Sequence, residues 1–362
     1  MPEACQPRGG APEPPSAAVP AFVSPATTSL VTARHVTVAI VQAEVAPDLP
    51  TALARTAVGV HQARAAGATL VVFGETWIPG YPAWLDVCRD AALWDHPPTK
   101  AVFARMAESS VSVPGPAVDA LADLARDAEV TLVVGASERV DRGPGRGTLH
   151  NALFTFGPDG RLLNHHRKLV PTYTERLVWG PGDGDGVRAV DTPAGRVGGL
   201  VCWEHWMPLA RQALHESGED VHVAVWPTAH EMHQVASRHY AFEGRCWVLA
   251  AGSLLRAGAL PPELEPHPGR VGAADQWVLR GGSAIIAPDG RYAIAPLYDE
   301  PGVLVAELDL GRNREESMTL DVTGHYHRPD VFEFRTRSGP RPGARSGPDG
   351  ATTQRAPLAD AG

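Results

Sequence analysis

Three side chains in this sequence are suited to acyl chemistry, and each stands at the end of a strand-like run. Cys202 follows GGLV and precedes WEHWMPLAR, Glu75 follows ATLVVFG, and Lys168 follows LLNHHR. A thiol with its ordinary pKa of ~8.5 is only a few per cent ionised at neutral pH, so it needs a neighbouring base or cation to attack carbon. Glu75 can be that base and Lys168 that cation. A second carboxylate, Glu175, stands beyond Lys168 across a proline-containing loop. Taken singly, each has a plainer reading: a small core thiol, a Glu capping a loop amide, a solvated Lys. Together they are the nucleophile, base and fixed charge that transfer through a thioester requires. A G-x-S-x-G serine elbow is absent from the sequence, which disfavours the serine version of the same chemistry.

The elements that must hold these groups can be read from the pattern. The run Gly198–Val201 reads as a buried strand, turning sharply at Cys202 into a helix that starts near Met207–Pro208, with Leu209, Ala213 and Leu214 as its apolar face. Backbone N–H groups from Trp203 onward would then face the sulfur. Earlier, a strand at Val36–Val41 leads to a helix over 49–66, a buried strand at Ala68–Phe73 ending in FGETWIPGYP, a helix over Pro116–Ala128 and a strand over Val130–Ser137. Asn151–Phe156 and Leu162–His166 flank the turn residues Gly157-Pro-Asp-Gly160 and predict a hairpin, and a second hairpin turns near Asp191–Gly195. Strands at Val221–Trp226 and Trp247–Ala251 enclose a helix from Gln234 to Glu243. A third hairpin turns at Pro288–Gly290, before a late strand Val303–Leu308. Helix-separated strands interleaved with hairpins imply an α/β protein with two mixed sheets packed face to face and helices outside. Strand ends on one edge of such a fold gather around one crevice. Trp77, Tyr81, Trp84 and Trp94 follow Glu75 and either line that crevice or pack the loop.

Composition narrows the classes. The 362 residues can bury a large core, and the net charge of −9 carries no basic block suited to nucleic acid. No apolar run reaches the ~18–20 residues that span a bilayer. The N-terminus has Glu3 and many prolines where a signal peptide needs a basic start and an apolar segment, so the expected location is cytoplasmic. Four scattered cysteines, Cys5, Cys88, Cys202 and Cys246, show neither a disulfide framework nor a zinc spacing. The pair His230 and His233 lacks the HExxH spacing, and Gly180–Gly186 lacks the phosphate-loop spacing. Residues 1–33 and 336–362 read as disordered Pro- and Ala-rich extensions around a body over 34–335.

These segments resemble the nitrilase branch of the carbon–nitrogen hydrolase superfamily. FGETWIPGYP is similar to that family's first catalytic motif, HRKLVPTYTER to its second and GLVCWEHWMPLAR to its third, and ASRHYAFEGRCWVLA and GHYHRPDVF also look like nitrilase sequence. The resemblance covers most of 34–335 in the family's order. It implies an αββα sandwich, with Glu75 as general base, Lys168 as cationic stabiliser, Cys202 as nucleophile and Glu175 positioning Lys168 and substrate. It implies hydrolysis of a small-molecule nitrile to the acid and ammonia, without metal or cofactor, by a homo-oligomer ranging from dimer to spiral filament with the helix after Cys202 as a dimer contact. Nitrilases commonly carry Asn two residues after the Cys-Trp pair. Here the residue is His205, a departure that bears on specificity or on the acid-to-amide ratio. Tyr81, Pro227 and His230 are expected to wall the substrate pocket, with Trp203 packed beneath the nucleophile. The competing readings are an amidase or N-carbamoyl hydrolase using the same residues, and a non-catalytic ligand-binding scaffold. A metal-dependent nitrile hydratase would need a clustered cysteine site, which this chain lacks.

Overall fold

The computed structural model describes residues 34–337. The two flanking segments read from the sequence, apart from residues 336–337, lie outside the described residues, as does Cys5.

The first sheet forms from strands buried on both faces. In β1 (His35–Gln42), Val38 and Ile40 point toward one core while Ala39 and Val41 point toward another. Helix α1 (Leu49–Ala65) starts where the Asp48 carboxylate accepts the Thr51 N–H at 2.8 Å, with Pro50 in the first turn, where its missing N–H is harmless. Its buried stripe of Ala52, Thr56, Gly59, Val60 and Ala63 covers the outer face of the sheet. Strand β2 (Leu70–Phe73) lies parallel to β1, and β3 (Thr131–Arg139) parallel to β2. Between them come α2 (Trp84–Val87), α3 (Pro97–Glu108) and α4 (Pro116–Asp127). Strands β4 (Leu149–Phe156) and β5 (Leu162–Arg167) add antiparallel.

The second sheet begins with the hairpin β6 (Val190–Thr192) and β7 (Gly195–Val201). It continues in parallel through α5 (Pro208–Glu216), β8 (Val221–Val225), α6 (Glu231–Gly244) and β9 (Trp247–Ala251). Strands β10 (Leu254–Arg256), β11 (Trp277–Ile286) and β12 (Tyr292–Tyr298) complete it. The chain then returns as β13 (Gly302–Asp309), antiparallel to β1, and ends the fold in α7 (Gly311–Ser317). The sheet orders are β13-β1-β2-β3-β4-β5 and β10-β11-β9-β8-β7-β6, with β12 on β11.

Val38, Ile40, Val72 and Leu153 of the first sheet share one apolar core with Leu200, Val223 and Val248 of the second. That core also takes in Ala213 and Leu214 of α5 and Tyr240 of α6, so the layers run helix, sheet, sheet, helix. Two details depart from the sequence reading. Helix α5 buries Ala210, Ala213 and Leu214, whereas Leu209, expected on the apolar face, is 68 % exposed. Helix α3, unpredicted, hides in a Pro-rich stretch and buries only Val102 and Met106. Among the described residues, no helix is long and apolar enough to cross a membrane.

Candidate active site

The C-terminal ends of β2, β5 and β7 deliver the candidate groups. After β2 the backbone passes Gly74 and Glu75 into Thr76, at φ +41°. Gly135 of β3 makes room for this, because a Cβ there would sit 2.4 Å from the Gly74 carbonyl oxygen. Lys168 leaves β5 with its N–H donating to the Asn151 carbonyl at 2.7 Å, which anchors it beside β4. Glu175 lies in a 3-10 turn, Tyr173–Leu177, where its carboxylate accepts the Thr172 N–H at 2.8 Å. Cys202 opens another 3-10 turn, Cys202–Trp206, directly after β7. Its φ of +54° is a left-handed conformation that costs about 1–2 kcal/mol for a residue with a Cβ.

These groups meet. The Lys168 ammonium lies 2.7 and 3.0 Å from the two Glu175 oxygens and 3.1 Å from Glu75 Oε1. Asn151 Nδ2 donates to the same Glu75 oxygen at 2.6 Å, and the Tyr81 hydroxyl donates to Glu175 Oε1 at 3.0 Å. One oxygen each of Glu75 and Glu175 and the Cys202 sulfur lie within 4.8 Å of one another. Such a donor trio can in principle hold a metal ion. Here the Lys168 ammonium already lies against two of its three members and supplies the positive charge. Glu75, Lys168, Glu175 and Cys202 are all at most 3 % exposed, and Glu75 Oε2 has no hydrogen-bond partner among the described residues.

Burial sets the proton affinities. Loss of water pushes the Glu75 carboxyl up to about 7; Lys168 opposes this, the nearby Glu175 charge adds to it, and the Asn151 bond opposes it. Burial also raises the Cys202 thiol well above its ordinary value. Glu75 reinforces that rise and Lys168 counters it. For Lys168, burial works against the charge, but Glu75, Cys202 and Glu175 together outweigh it and the pKa moves up. The resting site therefore holds a protonated thiol, a permanent ammonium and a carboxyl poised near neutrality.

A second layer fastens β5 to β7. Buried Glu204 accepts the N–H of Val201 at 2.7 Å, the N–H of Leu169 at 2.7 Å and His166 Nε2 at 2.9 Å. Sequence reasoning missed both Glu204 and Asn151. An acid two residues from a buried thiol is a legible signal for Glu204. Asn151 sits mid-strand and gave none.

The sulfur opens onto a cavity of about 400 Å3 whose walls include Tyr81, Trp203, Pro227 and His230, together with Val278 and Leu279. Tyr81, Pro227 and His230, the expected walls, are among its lining residues. Trp203 does not pack beneath the nucleophile, however. The 3-10 turn swings it to the rim, 52 % exposed, while Glu204 and His205 turn inward. Burial pushes the pKa of His230 down, and the Arg280 charge adds to that. Of the other aromatics after Glu75, Trp77 is core and donates to Thr56 Oγ1 at 2.8 Å, Trp84 is core, and Trp94 is exposed. The glycine-rich loop at 180–186 packs on β5: a Cβ at Gly186 would fall 2.3 Å from the His166 Cα.

Comparison with known proteins gives a consistent result. Residues 37–315 match the carbon–nitrogen hydrolase family. A bifunctional nitrilase/nitrile hydratase of Lupinus angustifolius is 35 % identical over 297 residues, 81 % of this chain and 83 % of that one. Nitrilase 2 of an unknown prokaryotic organism is 37 % identical over 285 residues, 78 % of this chain and 86 % of that one. Among solved structures, a carbon–nitrogen hydrolase from Helicobacter pylori G27 is similar in fold, with a TM-score of 0.62 at 20 % identity over 82 % of this chain and 97 % of that one.

Proposed function

We infer that this chain, which belongs to the nitrilase branch of the carbon–nitrogen hydrolase superfamily, hydrolyses an organic nitrile to the carboxylic acid and ammonia through a covalent bond to Cys202. The observation that carries the reading is the buried convergence of one thiol, two carboxylates and one ammonium, of which the Cys202 thiol and the Glu175 carboxylate line an open cavity. Glu75 takes the thiol proton as sulfur attacks the nitrile carbon, and the nitrogen is protonated to give a thioimidate. Water then adds, giving up a proton to Glu75, and Lys168 with the Trp203 N–H stabilises the tetrahedral species. Ammonia leaves with that proton, and a second water cleaves the thioester to acid and free thiol. A base with a pKa near 7 suits this cycle, because it both accepts and returns protons at neutral pH.

The walls of the pocket, Tyr81, Trp203, Pro227 and His230, hold the organic group. A second outcome is favoured by the similarity to the bifunctional nitrilase/nitrile hydratase of Lupinus angustifolius: if sulfur leaves the tetrahedral species before ammonia, the product is the amide. The enzyme works as a homo-oligomer in the cytoplasm. Exposed Leu209 on α5 and exposed Met232 and Val235 on α6 support an apolar contact between copies, and free Cys88, Cys202 and Cys246 suit a reducing compartment. Residues 34–335 form the catalytic body. A panel of aromatic, arylaliphatic and aliphatic nitriles and their amides, read by ammonia release, tests the activity. Turnover of amides with none of any nitrile would move the assignment to an amidase or N-carbamoyl hydrolase, and turnover of neither would leave a binding scaffold.

A further inference from the structure

Behind the nucleophile lies a buried polar chain that the proposed reaction does not use. His205 Nδ1 is 2.7 Å from the Cys202 carbonyl oxygen, and His205 Nε2 is 3.0 Å from Nε2 of His222. His222 Nδ1 is 2.7 Å from Glu219 Oε1, and the Tyr240 hydroxyl donates to the other Glu219 oxygen. His205, His222 and Tyr240 are at most 1 % exposed, and so is the Glu219 side chain. The His205 ring is stacked on Trp226 with centroids 4.7 Å apart, and His222 on Tyr240 at 3.6 Å.

Counting protons fixes the direction of the chain. A carbonyl only accepts, so His205 Nδ1 must carry hydrogen. A neutral His205 then accepts at Nε2, His222 donates from Nε2, and Glu219 brings the proton that faces His222 Nδ1. Burial favours this uncharged arrangement: it holds His205 down to about 3, with the His222 neighbour adding to the effect, and lifts Glu219 up to about 7. Moving the shared proton from Glu219 to His222, or on to His205, leaves Nδ1–H on the Cys202 carbonyl in every case.

The consequence reaches the reacting atoms through one peptide unit. The Cys202–Trp203 peptide is planar and trans, so its carbonyl and its N–H point in opposite directions. The carbonyl points at His205, and the Trp203 N–H, on the other side of the peptide, lowers the proton affinity of the Cys202 sulfur.

We propose that His205 is a positioning residue: its Nδ1–H locks the Cys202 carbonyl and so aims the Trp203 N–H at the sulfur and the developing oxyanion, while His222, Glu219 and Tyr240 hold the ring in the tautomer that can do this. The proposal rests on the reading of Cys202 as the nucleophile. Asn is the diagnostic replacement, since its Nδ2–H stands where the imidazole Nδ1–H stood, with nothing at the Nε2 position.

The experiment compares wild type, His205→Leu and His205→Asn by steady-state kinetics and thermal melting, on whichever nitrile or amide the wild type turns over. His205→Leu should lose roughly a hundredfold in kcat with KM little changed, as for removal of one oxyanion donor, and His205→Asn should recover at least about tenfold of that loss. His205→Leu at wild-type kcat, or His205→Asn as slow as His205→Leu with both melting like wild type, overturns the proposal. Should the Leu variant not fold, 15N-histidine spectra of the wild type decide. The expected pattern is hydrogen on Nδ1 of His205 and on Nε2 of His222, and hydrogen on Nε2 alone of His205 overturns it. The spectra need no turnover, so a wild type inactive on every nitrile and amide defeats the catalytic reading without being mistaken for a failure of the tautomer.

Discussion

Replacing Asn151 by Ala is expected to move the acidic limb of the pH–rate profile upward. Glu75 must be ionised to take the Cys202 proton, and burial has already pushed it up to about 7. In wild type, kcat/KM should therefore rise through pH 7 and level off above it. Asn151 donates to the ionised carboxylate at 2.6 Å, so removing it destabilises the charged form and raises the pKa further. A hydrogen bond to a charged group contributes about 1.5–3 kcal/mol, and 1.36 kcal/mol corresponds to one unit, giving a rise of about 1–2 units. Lys168 remains 3.1 Å from the same oxygen and keeps it bonded, which places the shift at the lower end, about one unit. The variant should lose roughly tenfold at pH well below 7 and little on the alkaline plateau. The assay is ammonia release at limiting substrate across pH, with melting curves confirming that both proteins stay folded. A limb that stays in place or moves down would refute the assignment of the titration to Glu75.

Other expectations follow from the same geometry. Lys168→Ala removes the charge facing both carboxylates and should lower kcat by about 10²–10³, measured on folded protein. Glu204→Ala strands two backbone N–H groups and His166 in a dry site and should cost about 3–5 kcal/mol, the range for removing one partner of a buried pair, visible as a lower urea midpoint. Tyr81→Phe removes one hydrogen bond to Glu175, about 1 kcal/mol, and should cost roughly fivefold in kcat/KM, far less than loss of Lys168.

The parts of the site visible in the sequence are those where a chemically active residue interrupts a local pattern. Glu75 and Cys202 each end an apolar run and Lys168 ends a hairpin strand, and the layered α/β architecture follows from strands buried on both faces alternating with amphipathic helices. Asn151 was invisible because its role depends on β4 lying beside β5, so that the Lys168 N–H reaches its carbonyl, and on β2 ending nearby; that information is carried by pairing over long sequence separations. Trp203 was misplaced because the strand period of two gives way at Cys202 to a 3-10 turn with a period of three, which turns Trp203 outward and His205 inward. Leu209 was assigned inward by residue type, while Ala210, Ala213 and Leu214 already fill the buried side of so short a helix.

The account stands on a covalent bond between Cys202 and the substrate carbon. Mixing wild-type enzyme with a turned-over nitrile, quenching within the first turnovers in acid and mapping the peptides by mass spectrometry tests it most directly. The predicted result is an added acyl or imidoyl mass on the peptide carrying Cys202, disappearing when substrate is exhausted and never formed by Cys202→Ala. Full turnover by Cys202→Ala, or an adduct that maps to Cys88 or Cys246, would contradict it.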